Sequence, residues 1–234
     1  MAIYKRIILK LSGEALGSGG ACFDAARVDA AADVIARLAE KGVEPGVVIG
    51  GGNIWRGRFT EAMNPVNADQ MGMLATIINA LCVEDALIRR GCRARVFTAQ
   101  QMDRFARLYT AREADETLAS GGVALLAGGS GNPFFTTDTA ASLRAAELKA
   151  DAVFKGTTVD GVYDADPRTN PGAKLIRDIT YQRAIEMGLK VMDTAAFQIC
   201  KENRVPVIRV FAMDRLENVL AVADGDAMGT IVHG

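Results

Sequence analysis

The sequence predicts an α/β fold: a mainly parallel central sheet with helices on both faces. Three observations lead there. Short β-branched and aliphatic runs alternate with longer segments of helical periodicity. Several of the short runs are apolar throughout rather than alternating, as strands covered on both faces are. Four of them lead directly into Gly-rich segments, and open parallel sheets bind ligands beyond the C-terminal ends of their strands.

In chain order, strands are expected over 6–11, 46–50, 93–98, 122–127, 152–155 and 206–211. The segment 24–41 places Val28, Ala31, Ala32, Ile35, Leu38 and Ala39 on one face, with Asp24 positioned as N-cap and Gly42 as stop. The segment 67–90 does the same with Met71, Leu74, Ile77, Ile78, Leu81 and Ile88. Further helices are expected over 112–120, 137–149, 181–188, 191–203 and 215–223. Repeated strand–helix–strand order implies right-handed crossovers. The main irregular stretch is 157–175, where Asp160-Gly161 and two prolines suggest a hairpin and an ordered surface loop. It divides an N-terminal lobe, about 1–150, from a C-terminal lobe, about 151–234, within a single domain.

Of the 234 residues, 50% are hydrophobic, enough for a sizeable core, and a formal net charge of −1 gives no basic surplus for a nucleic-acid surface. Cys22, Cys82, Cys92 and Cys200 lie far apart and the only histidine, His233, is next to last, which argues against structural zinc. Free thiols in a reducing compartment are the simplest reading. The apolar run at the N-terminus soon meets Lys10 and Glu14, too early for a signal peptide, and no later run reads as a bilayer span. A cytoplasmic protein without membrane or nucleic-acid partners is expected.

The four Gly-rich segments are Lys10-Leu-Ser-Gly-Glu14, Gly50-Gly-Gly-Asn-Ile-Trp-Arg56, the stretch Gly128–Asp138, and Lys155-Gly-Thr-Thr-Val-Asp-Gly161. At one sheet edge they would form a single cleft suited to phosphates. Glycines let backbone N–H groups approach an anion, and helix N-termini favour one. Ser12, Ser130, Thr136 and Thr137 add hydroxyl donors, Lys10 and Lys155 add charge, and Arg56 offers a bidentate fork. Neither GxxxxGK[ST] nor GxGxxG is present. Each loop alone reads equally well as a tight turn. Lys10 also reads as a strand-end lysine reaching water, and Asp138 and Asp193 as N-caps. Trp55, Phe134 and Phe135 fit packing better than base stacking, and Met71 and Met73 fit a core or subunit contact. The basic stretch 89–95 fits a helix C-terminus.

KLSGE at 10–14, GGGNIWRG at 50–57, MGMLAT at 71–76, GSGNPFFTTD at 129–138, KGTTVDGVYDADP at 155–167 and KVMDTAAF at 190–197 resemble the bacterial UMP kinases, a branch of the amino acid kinase family. The likeness runs along nearly the whole chain. KLSGE and GGGN also occur in relatives acting on carboxylates, whereas GNPFFTTD with MGMLAT and KVMD is more specific. The resemblance implies a three-layer α/β/α sandwich and transfer of the γ-phosphoryl group of ATP to UMP, giving ADP and UDP in pyrimidine biosynthesis. It implies catalytic roles for Lys10, Lys155, Asp193 and Asp138: the lysines flank the transferring group, Asp193 holds both lysines, and Asp138 sits near the phosphates. ATP would meet Lys10, Leu11, Ser12, Gly13, Gly52 and Arg56, with Thr157, Tyr163 and Asp166 at its adenosine end. UMP would meet Gly51, Asp69 at the ribose, and Ser130, Gly131, Asn132, Pro133, Phe134, Phe135, Thr136 and Thr137. The N-terminal lobe would thus hold UMP and the C-terminal lobe ATP.

The resemblance further implies a homohexamer, activation by GTP and inhibition by UTP. The stretch Gly17–Phe23 departs from the usual effector-site pattern at Cys22, and Tyr163 stands where Phe is common. The chemistry agrees with the resemblance. A phosphomonoester's second pKa is about 6, so the attacking oxygen of UMP is ionised at neutral pH and needs no general base. Mg²⁺ would be held mainly by ATP phosphates and water, for the sequence has no dense carboxylate cluster and no metal ligand is assigned. Two other readings remain: a carboxylate or carbamate kinase of the same superfamily, and a nucleotide-binding regulator without catalysis.

Overall fold

The structure is a computed structural model that describes residues 2–56, 63–167 and 169–234. Gly57, at the end of GGGNIWRG, and Arg168, in the 157–175 stretch, lie outside the described residues. In chain order the strands are β1 (Arg6–Leu11), β2 (Glu44–Ile49), β3 (Ala94–Thr98), β4 (Arg107–Leu108), β5 (Val123–Ala127), β6 (Ala152–Thr157), β7 (Val162–Tyr163), β8 (Leu175–Ile176), β9 (Asp178–Thr180), β10 (Val207–Ala212) and β11 (Thr230–His233). The helices are α1 (Ala25–Glu40), α2 (Pro65–Arg89), α3 (Ala111–Ala119), α4 (Thr137–Glu147), α5 (Tyr181–Glu186), α6 (Thr194–Glu202) and α7 (Asn218–Ala223).

The apolar runs make a nine-stranded sheet in the order β4-β3-β5-β2-β1-β6-β10-β11-β9. Its described pairs are parallel except β10 with β11. Side chains alternate across the sheet, so β1 feeds two cores. Ile7 and Leu9 enter the core shared with α1, α2 and α7, and Ile8 enters the one shared with α3–α6. The three-layer α/β/α arrangement follows.

The six expected strands and seven expected helices are all present, with shifted ends. Helix α6 starts at Thr194 rather than 191, because the Asp193 carboxylate caps it by accepting from the Ala196 N–H at 2.7 Å. The sequence left β4, β9 and β11 unread. They have two to four residues each, too short for a periodic signal. In the 157–175 stretch β7 and β8 pair antiparallel, but Asp160-Gly161 precedes β7 instead of turning the hairpin.

Helix α2 departs from expectation in its face, for Met71, Leu74, Ile78 and Ile88 are expected with Ile77 and Leu81 on its packed side. Among the described residues it is the one helix long and apolar enough to cross a membrane by length and composition. It packs on α1, β3 and β5, with Ala75, Ile77, Ala80, Val83 and Leu87 buried. Its outer side leaves Met71, Leu74, Ile78 and Ile88 exposed.

Beside the sheet centre, Phe154 of β6 meets Tyr4 and Phe211 edge to face, with ring centroids 5.3 Å and 5.7 Å away. It is fully buried. Phe154→Ala should therefore lower stability by about 3–5 kcal/mol in denaturant unfolding. A loss under about 1 kcal/mol would mean that this face is loosely packed.

Candidate active site

Lys10 and Lys155 are direct Cα partners in the parallel β1–β6 register. Equal register on neighbouring strands sends both side chains to the same face, where their like charges repel. The Asp138 carboxylate, in the first turn of α4, answers both. Its Oδ1 lies 3.1 Å from Lys10 Nζ and its Oδ2 accepts from Lys155 Nζ. Burial by itself would raise the Asp138 pKa, but the two ammonium groups outweigh it and hold the carboxyl below its ordinary value. Burial pushes the Lys155 ammonium down to about 8, with Asp138 opposing and Lys10 adding to the fall.

Asp138 is placed by the cap of its own helix. Thr136 Oγ1 accepts from the N–H groups of Asp138 (3.0 Å) and Thr139 (3.3 Å), and its hydroxyl donates to Asp193. Asp193 also accepts from Thr139 Oγ1 at 2.7 Å. Asp193 thus ties the N-terminus of α4 to that of α6. The expectation that it holds the two lysines is corrected: Asp138 pairs with both, because it faces the sheet from α4 while the Asp193 oxygens serve α6 amides and two threonines.

The strand ends open into two cavities rather than the single expected cleft. The first is lined by Gly51, Gly52, Asp69, Ser130, Asn132, Phe135, Thr136 and Thr137, together with Thr76 and Met73. The second, about 560 Å³, is lined by Lys10, Lys155, Thr157, Tyr163 and Asp166, together with Lys190 and Val191. Its size is ordinary for a small-molecule site. Thr137, in the first, adjoins Asp138, so the Lys10–Asp138–Lys155 cluster lies at the boundary between the two. Gly52, expected on the ATP side, lines the first cavity.

Several expected contacts are already engaged elsewhere. Leu11 is 1% exposed, so it belongs to the core, and its carbonyl accepts from the Gly50 N–H. Ser12 Oγ accepts from the Glu14 N–H at 3.3 Å. Arg56 makes an ion pair with Glu14 and donates from Nε to the Gly52 carbonyl at 3.1 Å. Asp69 accepts from the Phe134 N–H at 2.7 Å, which anchors the 130–135 loop. Phe134 is in the left-handed region at φ 69°, with its ring exposed. The Gly131 carbonyl accepts from Gln100 Nε2 at 2.9 Å. Gly131, Pro133 and Phe134 line neither cavity. Thr157 Oγ1 accepts from the Val159 N–H at 3.0 Å, and the Tyr163 hydroxyl donates to Asp160 at 2.5 Å.

Sequence reasoning missed Glu14, Thr76, Asn79 and Lys190. Thr76 Oγ1 accepts from the Gly128 N–H at 2.9 Å. The usable signal was a threonine and an asparagine at helical spacing inside the apolar run Leu74–Leu81. Among the described residues no three His, Cys, Asp or Glu side chains are grouped as metal ligands. The site offers fixed positive charge, hydroxyls and strand-end backbone amides. That equipment can stabilise charge on a bound or transferring anion.

Comparison with known proteins gives the family. The sequence model of the amino acid kinase family matches residues 5–210. The chain is 48% identical to a uridylate kinase of Bacteroides thetaiotaomicron and 49% identical to one of Parabacteroides distasonis, each alignment covering all of both chains. Its fold superposes on the crystal structure of UMP kinase from Bacillus anthracis with a TM-score of 0.94 at 34% identity, covering 98% of this chain and 96% of that one. The UMP kinase of Ureaplasma parvum gives 0.91 at 34% identity, covering 98% and 99%. The chain belongs to the amino acid kinase family, alongside the uridylate kinases whose whole length it matches.

Proposed function

We propose that the chain transfers the γ-phosphoryl group of ATP to UMP, yielding ADP and UDP in pyrimidine nucleotide metabolism. The observation that carries this reading is the Lys10–Asp138–Lys155 cluster at the boundary of two cavities, one for each nucleotide. UMP occupies the first, in the N-terminal lobe, against Gly51, Asp69 and the 130–137 loop. ATP occupies the second, in the C-terminal lobe, with its adenosine end near Thr157, Tyr163 and Asp166. Its phosphates lie towards Lys10 and the backbone of 11–13.

A UMP phosphate oxygen, ionised at neutral pH, attacks the γ-phosphorus. One P–O bond forms as the bond to the β-phosphate oxygen breaks, and the negative charge leaves on ADP. Lys10 and Lys155 neutralise charge that builds up between two anions, and Asp138 keeps both ammonium groups oriented. Arg56 must leave Glu14 to meet a phosphate. Mg²⁺, when bound with ATP, would be held mainly by the nucleotide's phosphates and water and would add charge neutralisation.

The same reading includes a cytoplasmic homohexamer activated by GTP and inhibited by UTP. The exposed apolar row of Met71, Leu74, Ile78 and Ile88 on α2 supports association. Sedimentation as a monomer would remove that part.

ADP production should appear with UMP and not with glutamate, aspartate or carbamate; turnover of a carboxylate instead would move the chain to another branch. Lys155→Met should reduce kcat on the order of 100- to 1,000-fold while leaving the UMP Kd within a few-fold. Preserved turnover would remove Lys155 from the chemistry. In the free enzyme Lys155 loses its proton as pH rises through about 8, so kcat/KM should decline above that pH. Bound phosphates favour the charged ammonium, so kcat at saturation should decline only at higher pH. A kcat/KM that stays flat from about pH 7 to about pH 9.5 would contradict the charged role.

A further inference from the structure

Asn79 is fully buried midway along α2, between Ile77, Ala80 and Val83. A primary amide there is costly unless its hydrogen bonds are met. They are met completely. Asn79 Nδ2 donates to the Gly50 carbonyl at 2.7 Å and to Asn53 Oδ1 at 2.8 Å. Asn53 Nδ2 returns a bond to Asn79 Oδ1 at 3.0 Å and gives its other hydrogen to the Cys22 carbonyl at 2.7 Å. The two amides form a reciprocal pair, and all four of their N–H bonds are used.

This pair sits where two Gly-rich turns meet. A Cβ on Gly13 would come within 2.3 Å of both the Gly50 carbonyl oxygen and Asn53 Oδ1, and within 2.9 Å of Asn79 Nδ2. The turn after β1 is therefore pressed against the amide pair, and the Gly50 N–H reaches back to the Leu11 carbonyl at 2.9 Å. Among the described residues no backbone carbonyl accepts from the N–H groups of Gly51, Gly52 or Asn53. One helical turn earlier on α2, Thr76 holds the Gly128 N–H beyond β5. Helix α2 thus grips the ends of β2 and β5 through two buried polar side chains three residues apart.

We propose that Asn79 is a positioning residue, acting through Asn53 and Gly50 to set the spacing of the Gly13 and Gly51–Gly52 turns and so the alignment of the two reacting phosphates. The inference rests on the ATP-to-UMP reading. Uniform loosening of a binding site raises KM, whereas misalignment of bound reactants lowers kcat.

The test compares wild type, Asn79→Ala, Asn53→Ala and the double variant. Its readouts are kcat, the directly titrated Kd of ATP and of UMP, thermal stability, and amide hydrogen exchange over residues 50–55 without ligand. Asn79→Ala should lower kcat about 10- to 100-fold with both Kd values within about 3-fold. It should speed exchange at 50–55 but not in α1, and the double variant should be no slower in turnover than Asn79→Ala alone. Reduced stability with kcat within about 2-fold of wild type and unchanged exchange would overturn the proposal. So would raised Kd values at unchanged kcat. If Asn79→Ala does not fold, Asn53→Ala, at the half-exposed end of the pair, decides by the same kcat and exchange readings. Wild type inactive on UMP would sink the functional reading instead, and exchange at 50–55 would still decide whether Asn79 anchors the turn.

Discussion

Two ammonium groups side by side on adjacent strands are the constraint to which the rest of the site answers. The β1–β6 register leaves Lys10 and Lys155 no room to separate. Without a counter-charge their repulsion and desolvation would oppose the pairing of the central strands. Asp138 supplies that charge, and its position depends on the Thr136 cap and, through it, on Asp193 and the start of α6. A chain of hydrogen bonds therefore runs from a helix in the C-terminal half to the middle of the sheet. The cluster carries two positive charges and one negative, and the surplus awaits an anion.

The core of the fold was legible because its signals are long and periodic. Runs such as Arg6–Leu11 and Val123–Ala127, and the face of α1, are set by burial on one or both sides. Of the face expected for α2, by contrast, Met71, Leu74, Ile78 and Ile88 are exposed, because that helix is apolar on its outer side too. The edges were not legible. Arg107–Leu108 and Asp178–Thr180 become strands only because a neighbouring strand offers them an edge, which is a tertiary fact. The loop at Asp160-Gly161 carries turn chemistry that serves entry into β7 and not the hairpin itself.

At the site, residue types and motif spacing brought the right segments to one sheet edge but did not assign partners. Asp138 and Asp193 are both carboxylates at helix starts, indistinguishable by pattern. Only the orientation of α4 over β1 and β6 separates the residue that meets lysines from the one that meets threonines and amides. Arg56 shows the same limit: its charge was evident, but its attachment to Glu14, 42 residues earlier, was not. Asn79 was hidden for a different reason. A lone amide in an apolar helix looks like a defect until the turn it fastens is seen.

The matched register of Lys10 and Lys155 also bears on how the chain reaches its native state. A slip of one residue between the first and sixth strands would turn Lys10 to the apolar face that holds Phe154, or Lys155 to the one that holds Ile7 and Leu9, burying a charge without a partner. The same two charges that equip the site thereby penalise a miszipped sheet, so the register is held by burial cost as well as by hydrogen bonds.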